Sequence, residues 1–264
     1  MVVLLHGLHS SKEELVFIQA GLKRSNVPHH LMELQGYTAS LRLDTQSTHI
    51  DWRTWLNELT AKLKDLASQH GPVILTGISS GANLSIAAAL EAPEALAGVV
   101  PLSTSIFIDG WSVPWYSFLL PLAYYTPVGR LWTYKESPPY GVKDERIRSW
   151  IARELATRGI SATGNSSIPN EYLRENHRLR CWLRKKLRKN IPPLPILAIQ
   201  AKDDELTSTK NIQFLGEHWA SEHFSQLILE DSYHMICIDR ERAKVTDAII
   251  QFATSIANGP ITKR

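Results

Sequence analysis

Val73-Ile74-Leu75-Thr76-Gly77-Ile78-Ser79-Ser80-Gly81-Ala82-Asn83-Leu84-Ser85-Ile86-Ala87-Ala88-Ala89 changes character twice. A run of aliphatic and β-branched residues reads as a buried strand, Gly77 to Gly81 as a sharp turn, and the alanine-rich remainder as a helix. The turn has the form G-x-S-x-G. At average Gly usage of about 7% and similar Ser usage, chance supplies that string in roughly a tenth of chains this size, so its weight comes from the strand before it and the helix after it. Such a turn holds the central serine in a strained backbone conformation, and its glycines stand where a side chain has no room. The strain pushes the Ser79 hydroxyl outward.

The same alternation of apolar run and amphipathic stretch recurs on either side. Strands are predicted at about 2–5, 29–34, 73–78, 98–102, 195–200 and 225–230, with helices at about 12–24, 52–69, 80–91, 207–219 and 240–257. This predicts an α/β fold: an open, doubly wound, mostly parallel sheet. The alternation fails over residues 106–192, where Pro, Trp, Tyr and Arg accumulate and no strand stands out. Residues 1–105 and 193–264 are therefore read as the core, and 106–192 as a helical cap inserted into it. The insertion carries five of the eight Trp and six of the eight Tyr, which serve either to pack a small helical subdomain or to face a substrate. Trp111 and Trp115 are candidates for the second role, with Tyr233 from the core.

Composition fits a packed globular protein, with 264 residues, 44% hydrophobic and 21% charged. The net charge of +3 is too small to require a nucleic-acid partner. Two cysteines, Cys181 and Cys237, are too few for a disulfide framework and point to a reducing, cytoplasmic location. Met1 leads directly into Val2-Val3-Leu4-Leu5 with no secretory pattern. The apolar stretch Val113 to Val128 carries three prolines and falls short of the ~20 residues a membrane helix needs. No Cys/His spacing typical of a metal site occurs, and no cofactor is expected.

A serine hydroxyl needs a base held in one orientation and donors for the charge that develops on its target. Ligands in a doubly wound sheet gather at the carboxyl ends of the strands, and three segments end strands there. His6-Gly7-Leu8 follows the first strand, and its amides, with those after Ser79, suit an oxyanion; Leu8 and Ser80 are the expected donors, His6 a residue that shapes the loop. Of the ten histidines, His6 is assigned to the loop, and His234 lies directly after a strand and before the last helix, whereas His9, His29, His30, His49, His70, His177, His218 and His223 lack that placement. After the strand Pro195 to Gln200 come Asp203, Asp204 and Glu205; Asp204 is the first choice for the carboxylate that orients the imidazole, Asp203 the second. The order nucleophile, acid, histidine differs from that of chymotrypsin and of subtilisin.

These residues resemble the α/β-hydrolase family, and within it the compact carboxylesterase and monoacylglycerol-lipase branch with a small helical cap. The likeness runs over nearly the whole chain: His6-Gly7-Leu8 matches that branch's oxyanion segment, Gly77 to Gly81 its nucleophile turn, Ala201 to Glu205 its acid turn and Ser232 to Ile236 its histidine loop. Two departures stand out. Tyr233 replaces the Gly that usually precedes the histidine, and the chain opens at the first central parallel strand, without the antiparallel pair that usually comes before it. The resemblance implies a serine hydrolase that cleaves a carboxylic ester or thioester through an acyl-enzyme on Ser79. Acyl transfer, acyl-carrier thioester hydrolysis and a non-catalytic binding role occur on the same fold.

From Tyr172 to Asn190 there are eight Lys or Arg against one acid, Glu175. Leu179, Leu183 and Leu187 form a stripe at helical spacing with Trp182 beside it. The stripe reads as packing of a cap helix; the charges also suit docking to an anionic membrane surface or an acidic acyl carrier protein.

Overall fold

The computed structural model describes residues 1–39, 50–126, 129, 133–158, 160–161, 164–165, 167–189 and 194–259. His49, Pro127, Val128, the 190–193 junction between insertion and core, and 260–264 lie outside these. The first half of the chain runs β1 (Val2–Leu5), α1 (Val16–Arg24), β2 (His29–Met32), α2 (Trp52–His70), β3 (Val73–Ile78), α3 (Ser80–Glu91) and β4 (Leu96–Leu102). The insertion follows with α4 (Leu120–Tyr124), β5 (Thr133–Lys135), α5 (Glu145–Arg158), β6 (Ile160–Ser161), β7 (Gly164–Asn165), β8 (Ser167–Pro169) and α6 (Asn170–Lys186). The chain then returns through β9 (Ile196–Ala201), α7 (Lys210–His218), β10 (Phe224–Leu229) and α8 (Arg242–Ala257).

Six strands form one sheet in the order β10-β9-β4-β3-β1-β2, and every pairing in it is parallel. Because side chains alternate across a strand, Val3, Leu5, Val73, Leu75, Val99 and Ile196 face one apolar layer with α2, α3 and α7. Val2, Leu4, Ile74, Ile78, Val100 and Ile199 face the other, with α1 and α8. The order reverses between β1 and β3, which pair with Leu5 opposite Gly77. At this reversal the chain after β1 leads to a helix on one face of the sheet and the chain after β3 to a helix on the other, the place where ligands gather in doubly wound sheets. No helix among the described residues is long and apolar enough to cross a membrane.

Element ends depart from the sequence reading where a side chain claims a backbone amide. The second strand stops at Met32 because the Thr38 hydroxyl accepts from Leu34 N at 2.9 Å. Helix α7 begins at Lys210 and not at 207, because Thr207 N and Ser208 N donate to the carboxylates of Asp204 and Asp109.

The insertion is not purely helical, a correction to the sequence reading. β5 pairs antiparallel with β8, and β6 with β7, as two short ribbons; strands of two or three residues show no period by which sequence could reveal them. It reaches into both apolar layers: Tyr172, Leu179, Leu183 and Leu187 are buried with α2 and α3, and Val142 and Ile151 with α8 and the 235–238 segment. The leucine stripe of α6 is thus a packed face, with Leu179 and Leu183 fully buried.

Candidate active site

Ser79 follows β3 with φ 56° and ψ −115°, a left-handed conformation that is costly for a residue with a Cβ. The neighbouring glycines make it feasible. A Cβ on Gly77 would stand 2.3 Å from the Gly81 carbonyl oxygen, and one on Gly81 would stand 2.3 Å from the His6 carbonyl oxygen. The second approach brings the loop after β1 against the start of α3, so that Leu8 and Ser80 belong to adjoining turns.

That loop is fixed by buried polar groups. His6 Nδ1 pairs with the Gly7 carbonyl at 2.7 Å and Nε2 with the Thr38 hydroxyl at 2.8 Å. Burial pushes its pKa down to about 4, so the ring is neutral, donating from Nδ1 and accepting at Nε2. Tyr37 donates to the His6 carbonyl at 3.0 Å. Glu14 accepts from Gly7 N at 2.7 Å, and its almost complete burial lifts its carboxyl pKa to about 8. Sequence reasoning missed Glu14, since an acid in a charged stretch looks like a surface residue.

His234 Nε2 lies 2.9 Å from Ser79 Oγ, and His234 Nδ1 lies 2.8 Å from Asp204 Oδ2. The structure brings together these three residues, which sequence reading had singled out from distant parts of the chain. Asp204 is buried and immobilised: Oδ1 accepts from Leu206 N and Thr207 N, and Oδ2 also accepts from Gln200 Nε2 and Thr207 Oγ1. Asp203 faces outward instead, in an ion pair with Lys143 at 2.9 Å. Burial alone would lower His234, but the Asp204 charge and hydrogen bond, helped by Glu205 and Glu14, outweigh it and raise the pKa to about 9.

The histidine loop is held from three sides. Ser103 Oγ donates to the His234 carbonyl at 2.6 Å, and His234 N donates to Glu205 Oε2 at 3.1 Å. The fully buried Asp239 carboxylate accepts from Tyr233 N, Arg240 N, Lys143 N and Asp144 N. At the rim, the Trp111 and Tyr233 rings meet edge-on at 5.6 Å, and Trp111 Nε1 donates to the Asp203 carbonyl. Trp115 is 83% exposed and meets only Tyr116 and Phe118 of its own turn among the ring contacts of the described residues. From the insertion, Asn176 Oδ1 accepts from Ser80 Oγ at 3.0 Å, which sets α6 directly beside the nucleophile turn; no motif flagged it.

A parallel sheet with a strained serine turn at its switch point, interrupted by a cap after β4, defines an α/β-hydrolase fold. The chain belongs to the hydrolase family described as serine aminopeptidase, S33, whose model matches residues 1–241. Among solved structures it is similar to that of the metagenome-derived lipolytic enzymes LipS and LipT, with 19% identity, a TM-score of 0.76, and coverage of 96% of this chain and 93% of that one. It is also similar to a monoacylglycerol lipase from Paleococcus ferrophilus, at 15% identity, TM-score 0.75, and 97% and 94% coverage. A soluble variant of monoglyceride lipase from Saccharomyces cerevisiae, solved with a substrate analog, gives 14% identity, TM-score 0.78, and 97% and 86% coverage. No curated protein matches by sequence.

Proposed function

We propose that the protein is a serine hydrolase of carboxylic esters, thioesters included, with an apolar acyl or aromatic group. Ser79 attacks the carbonyl, His234 takes its proton, Asp204 holds the ring and favours the cation, and the Leu8 and Ser80 amides receive the oxyanion. Water activated by the same histidine then releases the acid. The observation that carries this reading is the continuous relay of 2.9 and 2.8 Å from Ser79 through His234 to Asp204. Trp111 and Tyr233 supply an aromatic rim for the substrate, and Trp115 a more distant apolar contact.

A fluorophosphonate probe and a p-nitrophenyl ester test it. Labelling and turnover are expected in the wild type and absent in Ser79→Ala, whereas an unlabelled folded wild type would leave a binding protein. Product analysis with an added alcohol, amine or thiol separates acyl transfer from hydrolysis.

A lipid surface, rather than a carrier protein, is the partner the cap favours. Trp111, Trp115, Tyr116, Phe118, Leu122 and Tyr125 are exposed together. Their segment touches α6 through Asn170 and the Tyr124–His177 ring contact, and the end of α6 and its following turn expose Lys185, Lys186, Arg188 and Lys189. Exposed apolar side chains on one part of the cap and exposed cations at the end of α6 are the two components that an anionic interface attracts. Neutralising Lys185 and Arg188, or changing Trp115 and Phe118 to Ala, is expected to weaken sedimentation with phosphatidylglycerol vesicles. Unchanged sedimentation would remove this partner.

A further inference from the structure

Helix α6 carries two kinds of arginine. Arg174 and Arg178 grip the fully buried Glu175 carboxylate at 3.1 and 2.9 Å. Arg180 and Arg184, toward Tyr124 and Phe107, have no carboxylate partner among the described residues. Arg180 Nε is shut off from solvent and has no hydrogen-bond partner, and its Nη2 meets only Nδ1 of His177, at 3.4 Å. Burial, reinforced by Arg180 and Arg184, pushes the His177 pKa down to about 4, so that ring is neutral and offers no charge. Burial also depresses Arg180 itself, with Tyr124 pulling the other way and Arg184 adding to the depression. Arg184 donates to Cys181 Sγ at 3.0 Å and lies over the Phe107 ring at 5.6 Å.

Two guanidinium groups one turn apart, partly desolvated and without a carboxylate partner among the described residues, are an unfavourable arrangement by themselves. An anion that accepts from both reverses this. Their position connects them to the chemistry: Asn176, one turn before Arg180, bonds Ser80. At ~1.5 Å per residue Arg180 stands about 6 Å and Arg184 about 12 Å farther along the helix.

We propose that Arg180 and Arg184 form a subsite for an anionic group of the substrate, a carboxylate or phosphate monoester lying on the same molecule as the ester bond that Ser79 attacks. This deepens the reading above and rests on it for the identity of the reacting bond. The subsite selects against the free ammonium group of an N-terminal peptide, which two cations repel.

The experiment compares p-nitrophenyl monoesters of four- to ten-carbon dicarboxylic acids with fatty esters of equal length. In the wild type kcat/KM for the charged member should exceed the neutral one by roughly 10- to 100-fold at a best length, as for hydrogen bonds to a charged group. The gain should reside in KM. Arg180→Met should bring the ratio near one, Arg180→Lys should keep part of it, and without ligand Arg180→Met should melt no lower than the wild type. Calorimetry with adipate and with hexyl phosphate tells carboxylate from phosphate, and binding of either must vanish in Arg180→Met. That binding needs no turnover, so an inactive wild type that binds an anion through Arg180 would refute the hydrolase reading alone. Active enzyme with equal ratios in wild type and Arg180→Met, absence of binding to both anions, or a preference for ammonium-bearing substrates would overturn the subsite.

Discussion

Replacing Asp204 by Asn changes one atom and reverses the hydrogen bonding of the site. Oδ1 is fixed by two backbone amides, so the new amide nitrogen must take the Oδ2 position, where Gln200 Nε2, Thr207 Oγ1 and His234 Nδ1 converge. Donor then faces donor, and His234 is driven to carry its proton on Nε2, the nitrogen that must accept from Ser79. The rise of the His234 pKa from 6.5 to about 9 corresponds to roughly 3 kcal/mol of preference for the imidazolium. Without Asp204, burial dominates and the value falls. In the wild type, kcat/KM should climb with pH up to about 9, because only the neutral ring accepts a proton. In Asp204→Asn, kcat should fall by about four orders, as the corresponding change does in a serine protease, and the rising limb should move to lower pH. The ion pair also stabilises the fold, fully below pH 6.5 and progressively less as pH rises through about 9. The melting difference between wild type and variant should therefore be largest near pH 6 and shrink by pH 10. A pH–rate stop-flow series on a p-nitrophenyl ester, with melting curves across the same range, measures both. An unmoved rising limb, or a loss of only ten-fold, would refute the reasoning, and equal damage from Asp203→Asn would reassign the acid.

Gly81→Ala, whose Cβ would enter the His6 carbonyl, should abolish esterase activity by parting the oxyanion loop from the nucleophile turn; retained turnover would refute that close approach. Burial holds Glu14 at about 8 against 4.5 unfolded, so the unfolded chain releases a proton that the folded chain keeps, and the wild type loses stability from pH 4.5 to 8. Glu14→Gln should escape this loss and gain a few kcal/mol, roughly, over the wild type at pH 8 in urea titrations, with parallel pH slopes counting against it. Leu183→Ala, at a fully buried position between cap and core, should lower unfolding free energy by about 2–5 kcal/mol; a change below 1 kcal/mol would mean that α6 packs loosely.

Much of the core was legible because each sheet strand is an aliphatic run bounded by turn residues. The arrangement around Ser79 was legible for the same reason: strand ends are visible in sequence, and a doubly wound sheet collects them at one edge. The anchoring roles of Glu14, Glu205 and Asp239 were not, because a buried carboxylate differs from a solvated one only in what surrounds it, and the His234 amide on Glu205 and the Lys143 and Asp144 amides on Asp239 come from distant loops. Asn176 escaped for the same reason, lying 96 residues from the hydroxyl it accepts from. The ribbons of the insertion were hidden by their brevity, and the start of α7 by amides diverted to Asp204 and Asp109.

The Asp239 carboxylate gathers amides from both the insertion, at Lys143 and Asp144, and the histidine loop, at Tyr233. The heel of the cap is thereby welded to the segment that aims the imidazole, and a cap that swung as a rigid body would drag His234 off its serine. Whatever admits a substrate to Ser79 must therefore leave residues 143–144 and 233 tied to one another, since the same four amides that anchor the cap also hold the aim of the ring.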